Sequence, residues 1–460
     1  MRGDRKKGYK KWVALAALIG IGALVLVTYR TGGQPGIELS AGLPGIGKAT
    51  AVNVSVVESR RGLYRVEVEL IQGDRTDTLA ERSYQPRPAW NFWSLPESTD
   101  AYELTVGSET QKSLREGEAT IRVSVWPAPT WLRHPAPQVE ELTLPVRLRP
   151  PSVQVFSVQH YVAQGGAEVV LYRVGETSVR DGVRAGDWWF PGYPLPGGAA
   201  RDRFALFAAP YDLDDVSRIR VEAEDDVGNV ASTTFVDQFF RKPVKTDTIG
   251  LSDGFMAKVV PEILSRTPEL EDKQDLLANY LQINGDLRKQ NAETLKELAD
   301  NSQTKFAWSE VFLPLPDAQV MSSFADRRTY VYDGETVDRQ DHLGFDLASV
   351  RRAPVPAANS GRVVLADYFG IYGNTVVVDH GYGLLTLYAH LSSIEVVIGD
   401  EVSRGESVGR TGETGLAGGD HLHFTILIHG LAVDPREWWD AHWLTDRLDL
   451  KLGAALPFGE

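Results

Sequence analysis

Five side chains in the last third of the sequence have the types and spacing for metal-assisted proton chemistry. The chain has nine histidines, and seven lie at or beyond position 342. His421 and His423 are two apart in an apolar run (Phe424, Ile426, Ile428). A strand repeats its facing every two residues, so both imidazoles leave the same face. His342 and Asp346 are four apart, which places them on one face of either a strand or a helix. Two histidines and a carboxylate are a usual ligand set for a catalytic zinc, with a fourth position left for water. Two further histidines would then remain to handle protons. A lone histidine is more commonly a hydrogen-bonded structural residue, but that reading does not explain five such groups together.

The surrounding pattern predicts β structure. Asn374–Asp379 and Leu384–His390 flank Gly381-Tyr382-Gly383, which reads as a hairpin. On its second strand Thr386, Tyr388 and His390 share a face, so His390 can point into a groove. His380, at the turn beside Asp379, reads as structural.

A chain of 460 residues is expected to hold two to four domains. It has no cysteine, which excludes disulfides, thiolate metal sites and cysteine nucleophiles. The net charge is −14, although residues 1–11 carry six Lys or Arg and one Asp. An acidic body of this kind makes nucleic acid an improbable partner. Behind the basic head, Trp12–Tyr29 is eighteen residues without a charge, against the roughly 20 (lower limit about 17) that span a hydrocarbon core. Residues 1–30 are therefore expected to be a basic head with an uncleaved transmembrane anchor at residues 12–29. Its N-terminus would be cytoplasmic, and the rest would lie beyond the inner membrane.

Residues 31–48 are rich in Gly and Pro and predict a flexible tether. Residues 49–150 alternate with period two (Val66, Val68, Leu70; Ile121, Val123, Val125) and predict a β-sandwich. Residues 151–241 predict a second β domain, whose Val227-Gly228-Asn229 turn resembles those of immunoglobulin-like domains. Residues 242–304 predict a helical connector, with Thr267 before Pro268 as a helix start and Asn284-Gly285 as an interruption. The segment Leu251–Asn301 is also a candidate movable cover for the groove. Residues 305–445 form the expected all-β catalytic domain, and residues 446–460 a tail.

That domain resembles the lysostaphin/LytM-type zinc metallopeptidases of bacterial cell walls. The resemblance rests on His342–Asp346 (H-x-G-x-D), Pro354-Val355-Pro356-Ala357, Tyr372-Gly373-Asn374, Tyr388–Leu391, Gly399–Gly405 and Gly409–Phe424, in the family's order and spacing. Arg352, where the family usually has glycine, and Asp420, where proline commonly precedes H-L-H, are departures beside the motifs. The resemblance implies that His342, Asp346 and His423 bind one Zn2+ and that His390 and His421 are catalytic. His421 would be the base and His390 the oxyanion or leaving-group partner, with the two roles open to exchange. It also implies an endopeptidase acting on peptidoglycan peptide stems, with wall-synthesis or division proteins as partners through the β domains.

Two other readings compete. One is a catalytically silent relative that binds the wall or activates another wall hydrolase; such relatives commonly lose the ligand residues. The other is a lipoyl-type module suggested by Val397–Gly405, which has no lysine at its tip.

Overall fold

Residues 5–29, 34–59, 61–85, 97–129 and 133–457 are described by the computed structural model. Helix α1 (Arg5–Tyr29) forms where the uncharged N-terminal run predicts one. Among the described residues, however, no helix is long and apolar enough to cross a membrane. The transmembrane anchor expected at residues 12–29 is therefore not supported. The side chains of Leu24 and of residues 26–29 lie outside the described residues.

The chain divides into two compact units. The first comprises Met1–Pro150 with Glu224–Val230. In it a three-stranded sheet (Gly36–Ala41, Thr50–Val57, Thr99–Val106) and a four-stranded sheet (Arg75–Ser83, Leu63–Gln72, Gly117–Pro127, Gln138–Val146) share one core. The alternating residues predicted to face inward, Val66, Val68 and Leu70 with Ile121, Val123 and Val125, are buried. The expected tether is corrected. Gly36–Ala41 is a strand paired antiparallel with Thr50–Val57, and Ile46 is fully buried; residues 31–33 lie outside the described residues. Gly45 and Gly47 serve close approach: a Cβ on Gly45 would sit 2.8 Å from Pro145 O, and one on Gly47 2.7 Å from Val227 O. The turn at Asp225–Asn229 belongs to this unit. Asp225 Oδ1 accepts from the amides of Val227 and Asn229, and Asn229 Nδ2 donates to Arg147 O.

The second unit comprises Pro151–Ala223 and Ala231–Glu460. Its largest sheet has the strand order Gln319–Ser322, Phe345–Ala348, Leu422–Ile428, Leu384–Ala389, Asn374–Gly381, Gly361–Tyr368, Glu401–Val402, with Leu431–Val433 also on Leu422–Ile428. The predicted hairpin is present, with Tyr382 at φ +53° in its turn. The β strands after Pro151 share one apolar core with this sheet; Phe204 and Tyr382 meet at 4.9 Å. The tail expected at residues 446–460 is packed over its described residues, 446–457. Leu448 and Leu452 are buried in that core, and Lys451 Nζ lies 2.7 Å from Glu168 Oε1.

The segment expected to be a helical connector begins with a strand, Thr246–Gly250, which pairs parallel with Asp326–Tyr332. Helix α2 (Asp253–Arg266) follows, capped by Ser252 and continuous through Pro261. Thr267 ends α2 instead of starting the next helix; Asp275 supplies the later N-cap for α3 (Leu276–Gln282). The interruption expected at Asn284-Gly285 appears as a single π turn, Ile283–Leu287, leading into α4 (Arg288–Asp300). This part was expected to be polar enough to move as a cover. Instead Leu287, Leu295 and Ala299 are buried, the last two in the core of the largest sheet. Fully buried Asn284 donates to Asp338 Oδ2 at 2.7 Å. α4 is thus built into the unit.

Glu437 lies where the β strands after Pro151 meet this sheet, its Oε2 accepting from the amide of Ala167 at 2.8 Å. Burial pushes its carboxyl up from 4.5 to about 8. Between those values the folded chain keeps a proton that the unfolded chain has released. Stability should therefore fall as pH rises from about 4.5 to about 8. Melting temperatures across that range should decline less for Glu437→Gln than for the wild type. Parallel curves would mean that Glu437 ionises alike in both states.

Candidate metal centre

Strand register assembles the centre. Asp346, in Phe345–Ala348, is the partner of His423 in Leu422–Ile428, and Ala389 lies opposite His423 on the other side. His342 ends the strand Glu335–His342, which pairs with Asp326–Tyr332. Gly344, between the strands that carry His342 and Asp346, passes so close to His423 that a Cβ there would lie 2.6 Å from its ring. The H-x-G-x-D spacing therefore needs glycine at its centre.

Three atoms converge. His342 Nε2 and His423 Nδ1 lie 3.0 and 2.9 Å from Asp346 Oδ1, and 3.1 Å from each other. Donors bound to a tetrahedral zinc at about 2.0–2.1 Å are about 3.3 Å apart, so this spacing suits the ion. The outer hydrogen bonds set the tautomers. His342 Nδ1 lies 3.0 Å from Ser323 O, which can only accept, so Nδ1 carries the hydrogen and Nε2 a lone pair. Thr425 Oγ1 donates to Leu343 O and accepts from His423 Nε2, so Nδ1 of His423 carries the lone pair. Two lone pairs and a carboxylate oxygen thus face one another, an arrangement that a cation resolves. Orienting partners of this kind are the usual outer shell of a metal-binding histidine.

His390 and His421 stand beside this group, their rings 4.9 Å apart. His390 follows the strand Leu384–Ala389 with its backbone at φ +61°, held by N–H to Tyr372 O and Nδ1–H to Thr414 O, both at 2.8 Å. The tyrosine of Tyr-Gly-Asn supplies that first acceptor, and Asn374 Nδ2 donates to Leu391 O. His421 Nδ1 donates to Gly419 O at 2.7 Å, and its Nε2 lies 3.6 Å from Asp346 Oδ1. Burial and the neighbouring His421 and His423 rings hold His390 well below its ordinary value. Burial holds His423 down at about 4. For His421, burial is outweighed by the neighbouring Asp346 carboxylate and the bond to Gly419 O, and the ring is raised.

The remaining predicted features fall into place around this group. His380 is structural: fully buried, it bonds Ser360 O and Thr386 Oγ1, both at 2.7 Å. The two departures, Arg352 and Asp420, form one feature. Arg352 adopts φ +57°, and its amide donates to Asp420 Oδ2 at 3.2 Å. Asp420 also accepts from Thr411 at 2.6 Å. Sequence reasoning missed Thr425 and Arg328. Thr425 continues the two-residue period of His421 and His423 and could have been found. Arg328, whose Nη2 donates to Asp346 Oδ2 at 3.2 Å, has no motif.

The profile of peptidase family M23 matches residues 340–435, a window holding all five of these side chains. Residues 340–435 are an M23 peptidase domain. The chain is 30% identical over 155 residues to the peptidoglycan DD-endopeptidase ShyA of Vibrio cholerae serotype O1, covering 34% of this chain and 33% of that protein. It is 40% identical over 94 residues to the DD-carboxypeptidase/endopeptidase Mpg of Neisseria meningitidis serogroup B, covering 20% and 22%. It is 37% identical over 95 residues to the murein hydrolase activator EnvC of Escherichia coli, covering 21% and 23%. The chain thus spans about a third or less of the length of these curated relatives.

Proposed function

We propose that this chain is a zinc-dependent endopeptidase that hydrolyses peptide cross-links of bacterial peptidoglycan. The carrying observation is the convergence of His342 Nε2, His423 Nδ1 and Asp346 Oδ1, with tautomers that leave lone pairs toward a shared centre. The M23 domain and the names of ShyA and Mpg support the substrate class. Zinc held by these three residues would lower the pKa of a water sharing the site to about 7 and polarise a carbonyl.

The chain's own residues handle the protons. His421 Nδ1 is committed to Gly419 O, so Nε2 is the nitrogen that takes a proton, and the imidazolium formed is stabilised by Asp346 at 3.6 Å. His390 Nδ1 is likewise committed to Thr414 O, leaving Nε2 to meet the substrate. That nitrogen has a lone pair while the ring is neutral and donates to the oxyanion or leaving amine once protonated. The backbone contacts of His390 fix the ring's direction without help from substrate. Peptidoglycan lies outside the cytoplasmic membrane, and we place the peptidase domain there with it.

The likeness to EnvC favours a second reading, in which the chain activates another wall hydrolase. Purified sacculi incubated with the full chain and zinc decide between them. Release of muropeptides with cut peptide stems, identified by mass spectrometry, is expected. Intact sacculi from a zinc-loaded chain would leave the activator reading.

A further inference from the structure

Arg328 makes a contact that the reaction outlined above does not use. It lies on the strand Asp326–Tyr332, two residues from Asp326, the register partner of His342. Its guanidinium is largely buried, with 19% of the side chain exposed, and Nη2 donates to Asp346 Oδ2 at 3.2 Å. The two oxygens of Asp346 are therefore divided: Oδ1 faces His342, His423 and His421, while Oδ2 faces a cation. Ordinary outer-shell partners of metal ligands are neutral or anionic and strengthen binding. A guanidinium bonded to the metal-binding carboxylate acts in the opposite sense, because its charge repels a divalent ion close by.

We propose that Arg328 is a positioning residue that keeps Asp346 a one-oxygen ligand, sacrificing metal affinity to hold a coordination position open for water and substrate. This rests on the metal reading of the site. A free Oδ2 could swing toward the ion and occupy a further position, closing the place where water must bind. An arginine serves here because its charge is permanent and its planar fork fixes the direction of the carboxylate. Arg328 reaches Asp346 from the strand that pairs with the one carrying His342, whereas Asp346 itself lies on Phe345–Ala348.

The test uses the full chain and reads the metal apart from hydrolysis. Zinc affinity is measured by competition with a chelator, and the cobalt(II)-substituted protein by its visible absorption, which weakens as coordination rises above four. Arg328→Gln is expected to bind zinc more tightly, by about ten-fold or more from the lost repulsion, with a weaker cobalt band. Arg328→Lys keeps the charge without the fork and is expected to hold zinc near wild-type affinity. Folding of each variant is checked by the melting temperature of the metal-free protein. Unchanged or weaker zinc binding by a folded Arg328→Gln overturns the proposal, as does tighter binding by Arg328→Lys. A wild-type chain that takes no zinc would remove the metal reading together with this one. A chain that binds zinc but leaves sacculi intact would remove only the peptidase reading.

Discussion

Replacing His423 by alanine will empty the metal centre and end peptide hydrolysis, and Asp346→Ala will do the same. Three protein ligands with an open fourth position are the minimum of a catalytic zinc site, and none is spare. His423 is the more telling of the two. It sits between Asp346 and Ala389 in register, and its Nδ1 contacts both other donors. Elemental analysis of purified protein should fall from near one zinc per chain to near zero, with hydrolysis of sacculi at background. A His423→Ala chain that kept its zinc would place the ion elsewhere and refute the assignment of this centre.

His390→Ala and His421→Ala should behave differently, keeping zinc near one per chain while losing rate. Neither ring belongs to the converging triad, and each has its Nδ1 tied to a backbone carbonyl outside it. General acid–base groups contribute about 10²–10⁴-fold, so residual turnover should be measurable with long incubations. At φ +61° histidine is tolerated better than alanine, so the melting temperature of His390→Ala is compared with that of the wild type. Loss of metal from His421→Ala would move that residue into the ligand set. Full activity in His390→Ala would remove it from proton transfer.

Where the sequence was legible, short-range rules sufficed. The two-residue period placed His421 and His423 on one strand end, and Gly381-Tyr382-Gly383 announced its hairpin. The buried alternation of Val66, Val68 and Leu70 followed the same rule. What could not be read depends on partners far along the chain. Gly45 and Gly47 looked like a tether because composition does not reveal which backbone they approach. Leu295 and Ala299 look too sparse to anchor α4, yet they join a core that reaches from Val162 to Leu456. Arg328 reaches Asp346 only because Asp326 pairs with His342, a register no local pattern encodes. Length and absence of charge point to a membrane span in the N-terminal run, yet no described helix is long and apolar enough to cross a membrane.

The side-chain grip of the helices on two loops has a consequence for dynamics. Glu262 of α2 accepts from the amide of Gly415, and Asn291 of α4 accepts from the amide of Ile371. Those loops also carry Thr414 and Tyr372, whose carbonyls orient His390. Neither amide belongs to a sheet ladder, so each should exchange its hydrogen with solvent only when its helix lets go. Deuterium uptake at Gly415 and Ile371 therefore reports the free energy of that local opening. A wall fragment or protein that loosens α2 would speed uptake at Gly415 before it changed any rate of hydrolysis.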